Sequence, residues 1–153
     1  MQSNPASFVG IAAMMFVVGV SIPLMAALNG GLGRQIESPY AATFLLFCFG
    51  LVLSFGLMMA NGGFPAIEKF RGIPPYFYLG ALVVVSYIAS ITWAGPRIGV
   101  GNAVFFVLLG QVVAAATVDH FGLLSAAQAI VTPRRLMGVA VMALGIYLAR
   151  KPV

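Results

Sequence analysis

Apolar residues in this chain come in long runs separated by short clusters of glycine, proline and charge. Five runs approach or exceed the roughly 20 residues a helix needs to cross the hydrocarbon core of a bilayer. They predict spans over residues 8–28, 39–60, 75–94, 100–119 and 133–149, within a single membrane domain covering 1–153. The breaks carry helix punctuation. Asn29-Gly30-Gly31-Leu32-Gly33-Arg34 predicts the end of the first helix, because glycine accepts the left-handed cap and Arg34 complements the negative end of the dipole. Ser38-Pro39 and Thr132-Pro133 each read as an N-cap followed by proline at the first helical position. The stretch from Asn61 to Pro74, with Gly62, Gly63, Glu68, Lys69 and Arg71, predicts a loop exposed to water. Ser125 and Gln128, three apart, predict a capping box and one or two helical turns lying at the interface.

Polar positions inside the runs are few. Pro23 lacks an amide hydrogen and its ring crowds the carbonyl of Gly19, so a kink or local unwinding is expected there, with Gly19 and Pro23 as hinge and Ser21 beside them. Ser86, Ser90 and Trp93 follow helical spacing and share one face, a polar and aromatic stripe that should not point at lipid. Tyr76, Phe77 and Tyr78 lie about 26 Å from Trp93 along a helix, the separation of two interfacial aromatic belts, so Trp93 also has a simple anchoring explanation. The fourth run holds Gln111 near its middle, flanked on its own face by the small residues Ala114, Ala115 and Val118. An amide there serves either as glue between helices or as a substrate contact. Gly138, Met142 and Gly145 share a face of the last run, a candidate dimer contact, and Gly50 and Gly56 start small-xxx-small pairs in the second.

Composition agrees with the pattern. Of 153 residues 61% are hydrophobic and 7% charged, where soluble domains average roughly 45–50% and 25%. The chain is an all-α integral membrane protein with room for five transmembrane helices and no separate soluble domain. A net charge of +5 would suggest nucleic acid in a soluble protein, but here the basic residues stand singly or in pairs at the ends of apolar runs and act as topology anchors, so no nucleic-acid partner is expected. When the connections are placed on alternate sides, Lys69, Arg71, Arg134 and Arg135 fall on one side and Arg34, Arg97, Arg150 and Lys151 on the other. The positive-inside bias is therefore zero. A chain with no preferred orientation can insert both ways, and two copies in opposite senses would generate an inverted repeat. Cys48 is alone, which excludes an internal disulfide and a cysteine zinc site.

Several of these residues carry a family likeness. Asn29-Gly30-Gly31-Leu32 after a proline-bearing first span, Ala94-Gly95-Pro96 closing the third, and Gly110-Gln111 followed by Asp119-His120-Phe121-Gly122 together resemble the short, five-span YdcZ-like family of the drug/metabolite transporter superfamily. The resemblance covers essentially the whole chain and is most specific at the Gln111 to Gly122 segment. It implies a multi-pass protein of the bacterial inner (plasma) membrane and a small secondary transporter, half of a ten-helix inverted-repeat fold. It also implies kinship with small multidrug resistance proteins, which carry a membrane-embedded glutamate in the first span. This chain has Ser21 there and no acid before Glu37, which argues against proton-coupled cation export by that mechanism.

The functional expectation is alternating-access transport of a small organic metabolite or drug-like molecule by an antiparallel homodimer, surrounded by membrane lipid. The cavity is expected to be lined by Ser21, Asn29, Ser86, Ser90, Trp93, Asn102 and Gln111. Asp119 and His120 are the sole titratable pair suited to proton coupling, since an adjacent carboxylate can hold the imidazole protonated; as a plain cap at the helix end they need no such role, and a uniporter needs no titrating group. The competing expectation is a non-transporting membrane subunit that assembles with or regulates another complex. An enzyme is not expected: Asp119 and His120 point about 100° apart on a helix and lack a nucleophile or a further metal ligand at useful spacing. With no phosphate-binding glycine loop, no cofactor and no metal are expected.

Overall fold

A computed structural model describes residues 5–125 and 128–149. The chain is helical and divides into two compact units, residues 1–97 and 98–153. In the first, α1 (Pro5–Gln35), α2 (Pro39–Ala60) and α3 (Gly80–Ile98, whose last residue opens the second unit) are joined by a tight turn and by a longer connection. That connection holds two 3-10 turns, Ile67–Phe70 and Pro75–Leu79. In the second unit, α4 (Val100–Phe121) is followed by a short 3-10 turn, Leu123–Ser125, and by α5 (Pro133–Ala149). By length and composition four stretches can cross a membrane: Phe8–Gln35, Pro39–Ala60, Pro75–Ile98 and Val100–Phe121. The described part of α5 is 17 residues long and falls just short of that length.

The first helix does not stop at its glycines. It runs seven residues beyond Leu28, through Asn29, Gly30, Gly31 and Gly33, and Gly30 and Gly33 are used for packing instead of capping. A Cβ added at Gly30 would sit 3.3 Å from the Pro96 ring, and one at Gly33 would sit 3.1 Å from the Pro39 Cα. The cap lies further on. The Ser38 N–H donates to the Gly33 carbonyl at 2.9 Å and the Glu37 N–H to the Arg34 carbonyl at 3.3 Å, the two bonds of a Schellman motif. Its left-handed position is taken by Glu37, at φ 54°. Ser38 then caps the next helix, its hydroxyl accepting from the Ala41 N–H at 3.2 Å, with Pro39 following.

The helix also passes without interruption through Gly19, Ser21 and Pro23, so the expected local unwinding is not present. The Ser21 hydroxyl donates to the Val18 carbonyl one turn back. The third membrane-crossing stretch starts at Pro75, as in the expected 75–94, and runs on to Ile98. Pro74-Pro75 opens a 3-10 turn instead of an α-helix, and α3 then continues through Pro96 to Ile98. Proline is harmless there to the extent that only one turn-closing donor is lost so near the helix end. The single residue Gly99, at φ 85°, separates α3 from α4. The fourth helix extends past residue 119 to Phe121 and is closed by Gly122 in left-handed conformation, φ 59° and ψ 35°.

Between α4 and α5 the expected helical turns reduce to the one at Leu123–Ser125, where Leu124 is itself left-handed. Residues 126 and 127 lie outside the described residues, and 128–132 are not helical. Gln128, expected to close a capping box with Ser125, instead donates its side-chain amide to the His120 carbonyl at 3.1 Å. The closing Arg150-Lys151 also lies outside the described residues.

The core of the first unit is small and made of small residues. Gly30 of α1 lies against Pro96 and Thr92 of α3, Gly33 against Pro39 and Ala42 of α2 and Thr92, and Asn29 bonds Thr92; Ala26, Thr43, Ile88, Ile91 and Gly95 are buried as well. Backbones approach closely because so few side-chain atoms intervene, which is how helices associate where lipid removes the usual hydrophobic drive. Elsewhere the spans are bare: no more than 17% of the most apolar window of any of them is buried within the chain. Gly50 and Gly56 of α2, and Gly138 and Gly145 of α5, have no atom within reach of an added Cβ.

Two outcomes test this packing. Gly33→Ala forces a methyl against the Pro39 backbone and should destabilise the detergent-solubilised protein by about 1–3 kcal/mol, read as a lower thermal midpoint. Glu37→Gly relieves a left-handed glutamate at a position where glycine has no steric cost, and should raise the midpoint by the equivalent of about 1 kcal/mol.

Candidate functional site

The polar residues of the first unit fall on two opposite sides of α3. On the inner side, Thr92 is only 1% exposed, and its hydroxyl accepts from the Asn29 side-chain amide at 2.6 Å. Asn29 is itself 5% exposed, so this pair is a satisfied bond within the packed core. Thr43 joins the same region with its hydroxyl donating to the Pro39 carbonyl at 2.9 Å. Thr92 was not among the expected site residues. It lies in an apolar run beside Trp93, and only the crossing of α1 against α3 reveals its partner.

On the outer side stand Ser86, Ser90, Trp93 and Arg97, about 180° around the helix from Ile88, Ile91, Thr92 and Gly95. All four are exposed. Arg97 folds back along this stripe: its guanidinium lies 4.2 Å above the indole of Trp93 and donates to the Trp93 carbonyl. One face of the indole is thus covered by a cation. Within this unit, Asn29 bonds the side of α3 opposite the serine and tryptophan stripe.

In the second unit, Asn102 is 7% exposed and donates to the Ile98 carbonyl at 2.9 Å. It borders a cavity of about 330 Å³ with Gly99, Phe105 and Ala149. Gln111 is exposed, together with Ala114 and Ala115. It lies on the opposite side of α4 from Phe105, Ala116 and His120, the side that faces α5. Gly138 and Gly145 on α5 are likewise uncovered, with Met142 half-buried.

Asp119 and His120 form the corner between α4 and α5. The Asp119 carboxylate pairs with Arg135 at 2.7 Å, and its carbonyl accepts from the Ala129 N–H at 2.8 Å. His120 accepts at Nδ1 from the Val131 N–H, at 3.1 Å. The Asp119 carboxylate is thus turned to Arg135 and the His120 ring to the Val131 backbone. Thr132 completes the corner by capping α5, its hydroxyl accepting from the Arg135 N–H at 3.3 Å. Beneath the corner, Val113, Thr117, His120, Val131, Leu136 and Val139 are among the residues around an open cavity of about 380 Å³.

Apolar helices of membrane-crossing length with a thin set of uncharged polar groups define a multi-pass membrane protein. The chain belongs to the family whose model is described as "Putative inner membrane exporter, YdcZ", which matches residues 10–148. It is accordingly a multi-pass protein of the inner membrane and a membrane transporter, and exporters are not a class of enzyme. No curated protein and no solved structure matches the chain.

The corner supplies its own test. In a double-mutant cycle of Asp119→Asn and Arg135→Gln, each single change should lower stability by about 0.5–1 kcal/mol, as expected of a half-exposed ion pair, and the double variant should lose no more than either alone. Thermal midpoints at low and high salt check this, the coupling shrinking as salt rises.

Proposed function

We propose that the chain is a secondary transporter that exports a small organic metabolite by alternating access, and that it works as an antiparallel homodimer. One observation carries the proposal: the polar groups best suited to meet a substrate are the ones its own helices leave uncovered. Asn29 and Thr92 satisfy each other, whereas Gln111 and the Ser86, Ser90 and Trp93 stripe lie on faces turned away from the packed sides of α4 and α3. An amide left against acyl chains costs on the order of a few kcal/mol, so a second copy is the natural cover. Two copies in opposite senses bring together ten helices and an inverted repeat, as the balanced distribution of Lys and Arg allows.

In this proposal Gln111 supplies donor and acceptor to the substrate, Trp93 offers its remaining ring face, and Ser86, Ser90, Asn102 and Ser21 are further polar contacts. Asn29 holds the packing of the first unit, and Gly19 and Pro23 give α1 its compliance. Gly138, Met142 and Gly145 form part of the contact between copies. A proton-coupled cycle would run through His120, whose Nδ1 must release the Val131 N–H to accept a proton; a uniporter would leave the corner unchanged.

Proteoliposomes decide between this and a non-transporting subunit. Gln111→Ala should reduce the flux of whichever metabolite the wild type moves by about tenfold, the equivalent of one hydrogen bond. Single cysteines at Asn61 in a Cys48→Ser background should label from both membrane faces. A uniform orientation would overturn the antiparallel dimer, and persistent absence of flux with a co-purifying membrane protein would assign the chain to the subunit class instead.

A further inference from the structure

The connection between α2 and α3 was expected to be an ordinary loop in water, yet its residues argue otherwise. Phe64, Ile67, Phe70 and Ile73 recur every third position, the period of a 3-10 helix, and residues 67–70 adopt that conformation. Its hydrogen bonds are in place, with the Lys69 N–H donating to the Ala66 carbonyl at 3.0 Å and the Arg71 N–H to the Glu68 carbonyl at 3.2 Å. The rings of Phe64 and Phe70 stack at 5.5 Å and 20°, which puts both on one side of the turn. This apolar ridge is uncovered: Phe64 is 64% and Ile67 71% exposed. Glu68, Lys69 and Arg71 occupy the flanking positions.

We propose that residues 64–73 lie in the headgroup layer of the membrane as an amphipathic anchor, with Phe64, Ile67 and Phe70 at the acyl boundary and Lys69 and Arg71 on anionic phospholipid headgroups. The segment is tethered at both ends to membrane-crossing stretches, Pro39–Ala60 before it and Pro75–Ile98 after it, so the bilayer surface is the apolar boundary within its reach. Tyr76, Phe77 and Tyr78, directly after it, are residues that settle at headgroup level. Left-handed glycines stand on both sides, Gly62 at φ 106° and Gly63 at φ 76° before the turn and Gly72 at φ 80° after it. They are the places where the chain bends sharply out of one helix and back toward the next. Two cations against one carboxylate match the negative surface of an anionic membrane, and long basic side chains reach phosphate while their stems stay with the apolar ridge.

Site-directed nitroxide labelling tests the anchor in the full chain. Single labels at Phe64→Cys, Ile67→Cys, Glu68→Cys and Phe70→Cys, each with Cys48→Ser, are examined in vesicles of phosphatidylglycerol and phosphatidylethanolamine. Collision with molecular oxygen should exceed collision with a water-soluble nickel chelate at 64, 67 and 70, and the order should reverse at 68. The variant Lys69→Gln with Arg71→Gln, labelled at 67, should lose that oxygen preference, as should the unaltered segment in phosphatidylcholine alone. Access to the nickel chelate at all four positions would overturn the proposal in favour of a loop in water. Shielding from both reagents would overturn it in favour of packing against protein.

Discussion

A polar side chain inside a bilayer has no water to bond with, and that constraint decides which helices of this chain meet and how closely. In the first unit it is met by one contact, the Asn29 amide on the Thr92 hydroxyl. For these two groups to come within 2.6 Å, α1 must lie almost directly on α3, and the residues around the bond are small for that reason. Gly30 admits the Pro96 ring, and Gly33 admits both Pro39 and the Thr92 methyl. Among the described residues no buried side-chain nitrogen or oxygen lacks a partner. The core is thin in apolar volume and complete in its hydrogen bonding, which is the balance expected where surrounding lipid is as apolar as leucine.

The same constraint gives meaning to the groups left outside. Gln111, Ser86 and Ser90 stand on the far sides of their helices, and the buried side of α3 carries Ile88 and Ile91 instead. Arg97 shows how the chain manages a charge in such a position: it folds back on the indole of Trp93 and on its own helix, so the cation is partnered near the membrane edge. Gln111, placed mid-helix, has no basic or aromatic neighbour of that kind on its own face.

Much of the helical layout was legible because the signals are local. Ser38-Pro39 starts α2 and Gly122 ends the helix that carries Gln111, each through bonds between residues a few positions apart. The glycines after Leu28 were misread because glycine has two opposed uses, permitting a left-handed cap and permitting close approach. Which one applies depends on Pro39 and Pro96, which come near only once the chain is folded. The cap instead fell on Glu37, a residue with no intrinsic preference for that conformation, since the Gly33 and Arg34 carbonyls had to be satisfied where the packed stretch ends. Thr92 was invisible for a related reason: its partner is 63 residues away.

The corner at Asp119 and His120 shows how far the reading of a motif depends on what its neighbours offer. Adjacent acid and imidazole suggest a proton relay, but the geometry distributes them to different partners. Asp119 holds the first turn of α5 through Arg135, and His120 holds the incoming strand of backbone through Val131. Gln128 reaches the His120 carbonyl and the Ala129 N–H the Asp119 carbonyl from the same stretch, so three contacts tie a non-helical connection to the end of α4 beside the ion pair to α5.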